Sequence, residues 1–363
     1  MARRLLRKTL LVLLGCLVAT AAVAGAFPGT RVGYVARSAW FQAELLADRV
    51  PFDEARARPD LSPELRKGLD IVEDVKAYAA EIGLARTGNY DTVALDFNRQ
   101  MYNISATPPL SFQPRTWWFP VVGRVPYLGF FREEDADKAR ERLQGEGLEV
   151  YKRRIGTYST LGWFRDPLLP GMIKDGPFEI ARLVLHETAH ATVWVRGSVS
   201  FNESFASFVG DEAAMRYIED RFGKDSAELR KAHEDQDDVF LWRRLQHELY
   251  QQLDAVYQDP ALSNDDKLAR KSALLSGFPA VIDAAPFHDH EGFSKAARSG
   301  VWNNPRLMQF KTYNTGRDAF EALLAAHDGD LLQFMYAVRD AAGEGDDPFE
   351  SLRAAAAALQ SAP

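Results

Sequence analysis

Residues 186–190 read His-Glu-Thr-Ala-His, and this spacing constrains the fold more than any other feature of the chain. Side chains four residues apart lie on one face of an α-helix, so His186 and His190 can reach the same metal ion. The glutamate between them lies beside such an ion, where it can take a proton from a bound water. The pattern therefore predicts a helix that carries a metal site suited to hydrolysis.

The residues around this motif favour a helix. Asp175-Gly176-Pro177 is typical of a helix start, with a capping side chain and a proline near the first helical position. Apolar residues then recur at helical spacing, at Ile180, Leu183, Val184 and Ala191. The alternative is the polar face of an ordinary surface helix, which would rarely place two histidines and a glutamate in this way.

A catalytic zinc ion usually takes three protein ligands, and Glu203 is the predicted third ligand beside His186 and His190. Residues 195–198 have turn composition, and residues 202–217 predict a second helix with Glu203 in its first turn. The carboxylate then faces back toward the first helix. These three donors predict one Zn²⁺ ion per chain.

Glu203 also has an alternative role. Ser200 and Glu203 have the spacing of a helix capping box, in which the glutamate binds a backbone N–H instead of a metal. The ligand role is favoured because the zinc ion otherwise lacks a third anionic or imidazole donor nearby. Asp211 and Glu212 are the fallback ligands, or partners for a histidine N–H.

Several segments of the chain are similar to segments of a known family. They are residues 156–164 with 166–169, residues 181–190, residues 201–208, and Asn303-Asn304 with residues 312–314. Over roughly residues 33–345 the chain resembles the bacterial family of predicted zinc aminopeptidases in the gluzincin group of metallopeptidases. The resemblance implies His186, His190 and Glu203 as zinc ligands and Glu187 as the catalytic base.

Two departures limit what the resemblance implies. Better-known gluzincins carry an aspartate four residues after the glutamate ligand, whereas Ser207 stands at that position here. The Gly-x-Met-Glu-Asn motif, with which several aminopeptidases hold a substrate amine, does not occur in the chain. Zinc peptidase chemistry therefore follows from the residues themselves, and aminopeptidase action follows from the resemblance alone.

The expected fold class is α+β and mainly helical, with a zincin-like catalytic domain whose small mixed sheet packs on the His-Glu-x-x-His helix. Residues 115–122 and 148–163 are rich in β-branched and aromatic side chains, which favours strands. Helices are predicted at residues 62–84, 133–146, 224–256, 262–276, 317–326, 330–342 and 347–360. Residues 28–363 are predicted to form a single domain.

The predicted strand before the metal helix is also a candidate substrate-binding element, because an edge strand can pair with an extended peptide backbone. The predicted cleft residues are Tyr158, Ser159, Thr160 and Gly162. Simple packing of the sheet against the helix is the alternative. For Trp117, Trp118 and Trp163, core packing is favoured over a role in a side-chain pocket.

The N-terminal segment predicts delivery to the bacterial cell envelope. Four basic residues precede an uninterrupted apolar run at residues 9–27, which is long enough to cross a bilayer as a helix. Residues 1–27 are therefore expected to anchor the chain, with the remainder on the periplasmic side. The alternatives are a signal peptide cleaved after residues 24–26 and a lipobox in which Cys16 is lipidated.

The charge balance argues against a nucleic-acid partner. The net charge is −7, and the first 26 residues hold four basic and no acidic side chains, which leaves −11 on the remainder. Such an acidic chain lacks the broad cationic face that nucleic acids require. The expected partners are a peptide substrate and, through the N-terminal segment, a membrane.

These residues predict a hydrolytic mechanism. A zinc ion held by His186, His190 and Glu203 lowers the pKa of a bound water, and Glu187 takes the proton. The water attacks a peptide carbonyl, and Glu187 passes the proton to the leaving amine. Tyr313 is the candidate donor to the oxyanion, because it stands in the late family-like segment.

Two other functions use the same residues. The domain can be an envelope scaffold or chaperone that retains a metallopeptidase fold without turnover. It can also be a zinc amidase that acts on a non-peptide substrate. Hydrolysis of peptides separates the first alternative from the predicted function, and substrate profiling separates the second.

Overall fold

The computed structural model describes residues 31–97, 99–119, 123–155, 165–173, 176–308, 316–343 and 347–360. Most of these residues lie in helices, and the strands are short. The mainly helical α+β class is therefore confirmed. No helix among the described residues is long and apolar enough to cross a membrane, and the predicted anchor at residues 1–27 lies outside them.

The first half of the chain contains all of the described strands. Its elements are α1 (Arg31–Ala47), β1 (Val50–Pro51), α2 (Phe52–Ala57), α3 (Pro63–Glu81), β2 (Thr92–Val93), β3 (Met101–Thr107), β4 (Trp117–Phe119), β5 (Gly123–Val125), β6 (Leu128–Phe130), α4 (Glu133–Gly145), β7 (Glu149–Ile155) and a 3₁₀ turn (Pro170–Ile173). Helix α3 begins as its sequence predicts, because the Ser62 side chain accepts a hydrogen bond from the Leu65 N–H and proline follows at the first helical position.

The second half of the described chain is helical. Its elements are α5 (Pro177–Thr192), α6 (Val199–Phe222), α7 (Ala227–Gln258), α8 (Asn264–Asp283), α9 (His290–Arg298), α10 (Arg317–Ala326), α11 (Leu331–Ala342) and α12 (Pro348–Gln360). Of the helices predicted outside the motif region, only the one at 262–276 ends far from its expected residue. It continues through Pro279 to Asp283, because buried Phe278 and Ile282 hold its last turns.

The described sheets are small and their ladders are antiparallel, not mixed as predicted, although one isolated parallel bridge joins Val93 of β2 to Leu168. The largest sheet has the order β6-β3-β7, with Tyr102 opposite Phe130 on one side and opposite Arg154 on the other. This sheet packs on α4, whose Leu143 shares an apolar cluster with Ile104 and Val150. The helix that links β6 to β7 therefore covers the sheet. The prediction that the sheet packs on the motif helix α5 is wrong for the described part of β7.

Three apolar clusters organise the described residues. The largest surrounds α5 and α6 and includes side chains from α3, α10 and α11. A second lies among α7, α8 and α9, and the third joins the three-stranded sheet to α4. Core packing is confirmed for Trp117, which belongs to the third cluster, and is wrong for Trp118, which is 53% exposed because successive strand residues face opposite sides.

Asn304 joins the sheet to the second cluster. Its side-chain amide donates to three backbone oxygens in residues 108–111 at 3.1–3.3 Å, and its Oδ1 accepts a hydrogen bond from the Tyr257 hydroxyl at 2.7 Å. The Asn304 N–H donates to Glu149 of β7 at 3.0 Å. Glu149 also pairs with buried Lys271 of α8. This family-like asparagine therefore has a structural role.

Replacing Asn304 should destabilise the protein strongly. The Asn304→Ala change leaves several buried groups without a partner, and we expect the free energy of unfolding to fall by about 3 kcal/mol. Urea unfolding followed by circular dichroism measures this loss. Asn264→Ala, at the exposed start of α8, is the matched control and should stay within about 0.5 kcal/mol of the wild type. Equal losses in both variants would contradict the structural role.

Candidate metal centre

Helix α5 carries the His-Glu-x-x-His motif and begins at Pro177. The predicted start is confirmed, but the predicted capping side chain is wrong. The N-cap residue is Gly176, which has no side chain to accept a hydrogen bond. The helix is held instead by burial of its apolar face, to which Ile180, Val184 and Leu185 belong.

Helix α6 carries Glu203 and begins at Val199, earlier than the predicted start at residue 202. Ser200 therefore lies inside the helix, and its predicted alternative role as an N-cap is wrong. The N-cap residue is Ser198, and its side chain makes no capping hydrogen bond. Glu203 is thus placed in the second turn of α6, where it is 6% exposed.

Asn202 fixes the connection between α5 and α6. Its side-chain Oδ1 accepts a hydrogen bond from the Val195 N–H, and its Nδ2 donates to the Val195 oxygen, both at 2.8 Å. This amide therefore satisfies both backbone groups of one turn residue, much as a neighbouring strand does. Glu203 is the next residue, so these two hydrogen bonds, here called the Asn202 clamp, also fix the position of its carboxylate beside the histidines.

The structure brings His186, His190 and Glu203 together. Their candidate ligand atoms all lie within 4.8 Å of one another. The Glu203 oxygens lie 3.6 Å from His186 Nε2 and 3.8 Å from His190 Nε2. Donors at tetrahedral zinc lie about 3.3 Å apart, so the two Glu203 contacts are within about 0.5 Å of that spacing, whereas the largest separation of 4.8 Å must shorten by about 1.5 Å to hold the ion. Two imidazoles and one carboxylate are also a common donor set of catalytic zinc.

Burial and mutual charge shift the pKa values of the three side chains in different directions. Burial and the nearby His186 lower the pKa of His190 to about 3, against the opposing effect of Glu203. Burial also lowers the pKa of His186, but Glu203 and Glu187 outweigh it and leave that pKa raised. Burial raises the pKa of Glu203, and the two histidines outweigh it and leave that pKa lowered. Against the effect of burial, Glu203 and Glu187 therefore favour the protonated form of His186, and a cation held by this group would compete with that proton.

Gly210 allows α5 and α6 to approach closely at the site. A Cβ atom at this position would lie 3.0 Å from the backbone oxygen of Arg182 and 3.1 Å from the Cβ atom of His186. Helices α5 and α6 form the most extensive helix contact of the described chain. A residue without a side chain is therefore required for the distance that separates His186 from Glu203.

Comparison with known proteins agrees with this architecture. The model of the family described as "Putative aminopeptidase" matches residues 33–348. The chain belongs to that family. No curated protein and no solved structure matches it. The predicted family resemblance is therefore confirmed, and the matched range includes both site helices.

Asp211 is placed with arginines, and not with the histidines. Its carboxylate lies 3.0 Å from Arg317, 3.2 Å from Arg243 and 4.0 Å from Arg182. Glu212 lies 3.7 Å from Arg317. The fallback prediction that these two acids are ligands or histidine partners is therefore wrong. The arginines come from α5, α7 and α10, so the cluster ties the site helices to their neighbours.

His190 Nδ1 is buried and has no hydrogen-bond partner. The aspartate expected in better-known gluzincins is Ser207 in this chain, and Ser207 is buried. The His190 ring contacts Trp194 edge-on, with ring centroids 5.7 Å apart. Aromatic packing on Trp194 therefore helps to orient this imidazole, together with the contact of its Nε2 atom with Glu203.

The remaining predicted site residues lie outside the described residues. They are Tyr158, Ser159, Thr160, Gly162 and Tyr313, together with Trp163. Their predicted roles stay predictions. Glu187 is described, and it is buried on α5 between the two histidines.

Sequence reasoning missed three residues that shape the site. Gly210 interrupts a helical pattern, which indicates close packing of another element. Asn202 precedes the ligand in the Asn-Glu-Ser run, but nothing local predicts its return to Val195. Tyr90 is buried, and burial together with the charge of Glu187 raises its pKa. It lies far from the motif in the sequence, so no local pattern predicts that it belongs to the site.

Gly210→Ala should separate the site helices. The added methyl group overpacks the contact with His186, and we expect a loss of about 1–3 kcal/mol in unfolding free energy. Zinc affinity should fall by about 10- to 100-fold, as it does when the support of a ligand is disturbed. Isothermal titration with zinc and thermal unfolding measure both effects.

Gly277→Ala is the matched control for this prediction. Gly277 also lies inside a helix, but an added Cβ atom would meet nothing within 4 Å. Because alanine favours helices, this variant should gain up to about 1 kcal/mol and bind zinc like the wild type. Unchanged zinc affinity in Gly210→Ala would show that the close contact does not set the ligand geometry.

Proposed function

We propose that this protein is a zinc-dependent peptidase of the bacterial cell envelope that acts as an aminopeptidase. One observation carries the proposal, the buried group of His186, His190 and Glu203 with ligand atoms within 4.8 Å of one another. Membership in the "Putative aminopeptidase" family supports the choice of a peptide substrate. The donor set supports one zinc ion per chain.

His186, His190 and Glu203 are proposed to hold the ion. When bound, zinc lowers the pKa of a water and polarises the carbonyl that the water attacks. A bound cation would require His186 in its neutral form, and His190 is already neutral because of its low pKa. Burial of Glu203 keeps the carboxylate out of bulk water, which strengthens its interaction with a cation.

Glu187 is proposed as the general base and then the general acid. It lies on the same helix as both histidines and is 8% exposed, so a proton that it accepts stays near the reacting groups. It accepts a proton from the attacking water and gives it to the leaving amine. Tyr313 is the proposed donor to the oxyanion that forms between these two transfers.

The region beside the site has space for a peptide. A cavity of about 660 Å³ is bounded by residues 193–198 and by residues of α11 and α12. Trp194 lines this cavity and also contacts the His190 ring. These observations support a substrate that approaches past Trp194. Tyr158, Ser159, Thr160 and Gly162 are proposed to pair with its backbone.

Glu187→Gln should abolish turnover while the zinc site remains. The amide cannot accept the proton, so kcat should fall by about 100- to 10,000-fold, while the zinc content stays at one ion per chain. Purified full-length protein, a defined peptide pool and metal analysis give the measurement. Glu228→Gln, at the exposed start of α7, is the control and should keep wild-type activity.

The cleavage pattern distinguishes the possible functions. Sequential loss of N-terminal residues supports an aminopeptidase, and internal cuts indicate an endopeptidase. A wild type that holds zinc and is as inactive as Glu187→Gln across the pool would instead support a scaffold or chaperone. Activity confined to non-peptide amides would support the amidase.

The envelope location is proposed from the N-terminal sequence and from α1. Residues 9–27 form an uninterrupted apolar run that ends four residues before α1 begins. The exposed side of α1 then carries Val32, Val35 and Trp40, of which Val32 is 59% exposed. An apolar exposed side next to an apolar run supports a helix that lies at a membrane surface.

Cell fractionation tests this location. The full-length protein should sediment with bacterial membranes and resist extraction with alkaline carbonate. Added protease should digest it in spheroplasts and leave it intact in whole cells. Cys16→Ser should behave like the wild type if residues 1–27 are the anchor, and should become soluble if a lipid on Cys16 holds the chain. A wild-type protein in the cytoplasmic fraction would contradict the proposal.

A further inference from the structure

Tyr90 has an unusual backbone for an aromatic residue. Its φ angle is 59°, in the left-handed region that favours glycine. The Tyr90 N–H donates to the Asp166 oxygen at 2.8 Å, and the chain then runs beside residues 166–168. Tyr90 is 2% exposed and belongs to the same apolar cluster as Leu185 and Ala189 of the motif helix.

Neighbouring contacts hold this conformation from both sides. The Asn89 side-chain oxygen accepts a hydrogen bond from the Asp166 N–H at 3.2 Å. Lys76 of α3 donates to the Asn89 backbone oxygen at 2.6 Å and pairs with Asp91. The residues before and after Tyr90 are therefore fixed, and the strained residue between them is kept in place.

The Tyr90 hydroxyl is buried and has no hydrogen-bond partner. The other buried tyrosines of the described chain each donate to a partner: Tyr78 to Asp220, Tyr102 to Glu133, Tyr217 to Asp74 and Tyr257 to Asn304. A buried donor without a partner is costly and rare in folded proteins. Strain and an unmet donor in one residue are typical of functional positions.

Two carboxylates act on this hydroxyl. Burial, followed by the charges of Glu187 and Asp166, raises the pKa of Tyr90 well above its ordinary value. The hydroxyl therefore stays protonated and remains a donor throughout the working pH range. Glu187 and Asp166 are both buried, so their influence on the hydroxyl is weakly screened.

We propose that Tyr90 is a positioning residue for Glu187. Its hydroxyl donates a hydrogen bond to the Glu187 carboxylate, directly or through one water, and holds that carboxylate toward the attacking water during turnover. The role rests on the proposed peptidase function, in which Glu187 moves the proton. The backbone of Tyr90 is strained and its hydroxyl makes no hydrogen bond in the structure, so no other partner competes for this donor.

Tyr90→Phe tests the role, because it removes the hydroxyl and keeps the ring. In the full-length protein we expect kcat to fall by about 10- to 100-fold, with KM within about twofold and zinc content unchanged. The thermal midpoint should hold or rise, because the variant no longer buries an unpaired hydroxyl. If the hydroxyl had a purely structural role, its removal would not lower kcat while the thermal stability stays unchanged.

Tyr217→Phe is the matched control. Its hydroxyl donates to Asp74 at 2.9 Å, so the variant should lose thermal stability and keep wild-type kcat. Glu187→Gln, measured in parallel, gives the activity that remains without the base. A Tyr90→Phe variant with kcat within twofold of the wild type overturns the proposal. A fall in kcat that comes with lost zinc or a lower thermal midpoint also overturns it, because the hydroxyl is then structural.

The same experiment separates this proposal from the proposed function. A wild type that binds zinc and cleaves no peptide contradicts the peptidase function and removes the role of Tyr90 with it. An active wild type, an inactive Glu187→Gln and a fully active Tyr90→Phe contradict the role of Tyr90 alone.

Discussion

The close contact between α5 and α6 is the interaction on which the candidate site depends. Two candidate ligands lie on one helix and the third on the other, so the separation of the helices sets the distances between their donor atoms. Gly210 permits this separation because its backbone lies directly against His186. The surrounding apolar cluster holds the pair from several sides, and the sheet lies apart on α4. The geometry of the metal site is therefore a property of helix packing.

Charge is arranged in two distinct groups along these helices. The histidines and Glu203 form one group, in which, against the effect of burial, Glu203 raises the pKa of His186 and the histidines lower the pKa of Glu203. Further along α6, Asp211 neutralises guanidinium groups from three other helices. Separate partners keep the arginines from competing for Glu203. The acidic residues of α6 thus differ in function because different neighbours surround them, although they share one helix.

The sequence predicted the parts of the site that depend on local spacing. The motif fixed the face shared by His186 and His190, and the need for a third donor pointed to Glu203. Some of what failed is local, such as the N-caps of α5 and α6 and the exposure of Trp118, and the larger errors depended on contacts far apart in the chain. The sheet was placed on the wrong helix because α4 covers it, and Asp211 was misread because its arginines come from other elements. Tyr90 was missed for the same reason, since 96 residues lie between it and Glu187 in the sequence.

The two hydrogen bonds between Asn202 and Val195 limit the number of residues that can connect α5 to α6. The Asn202 amide must return to both backbone groups of Val195, so an insertion among the six residues between Val195 and Asn202 would lengthen the ring that these two hydrogen bonds close. Glu203 follows at once, which ties the twelve residues between His190 and Glu203 to the ring. In related chains, an asparagine directly before the glutamate and a constant count back to the second histidine would thus mark the same turn, even where the remaining sequence has diverged.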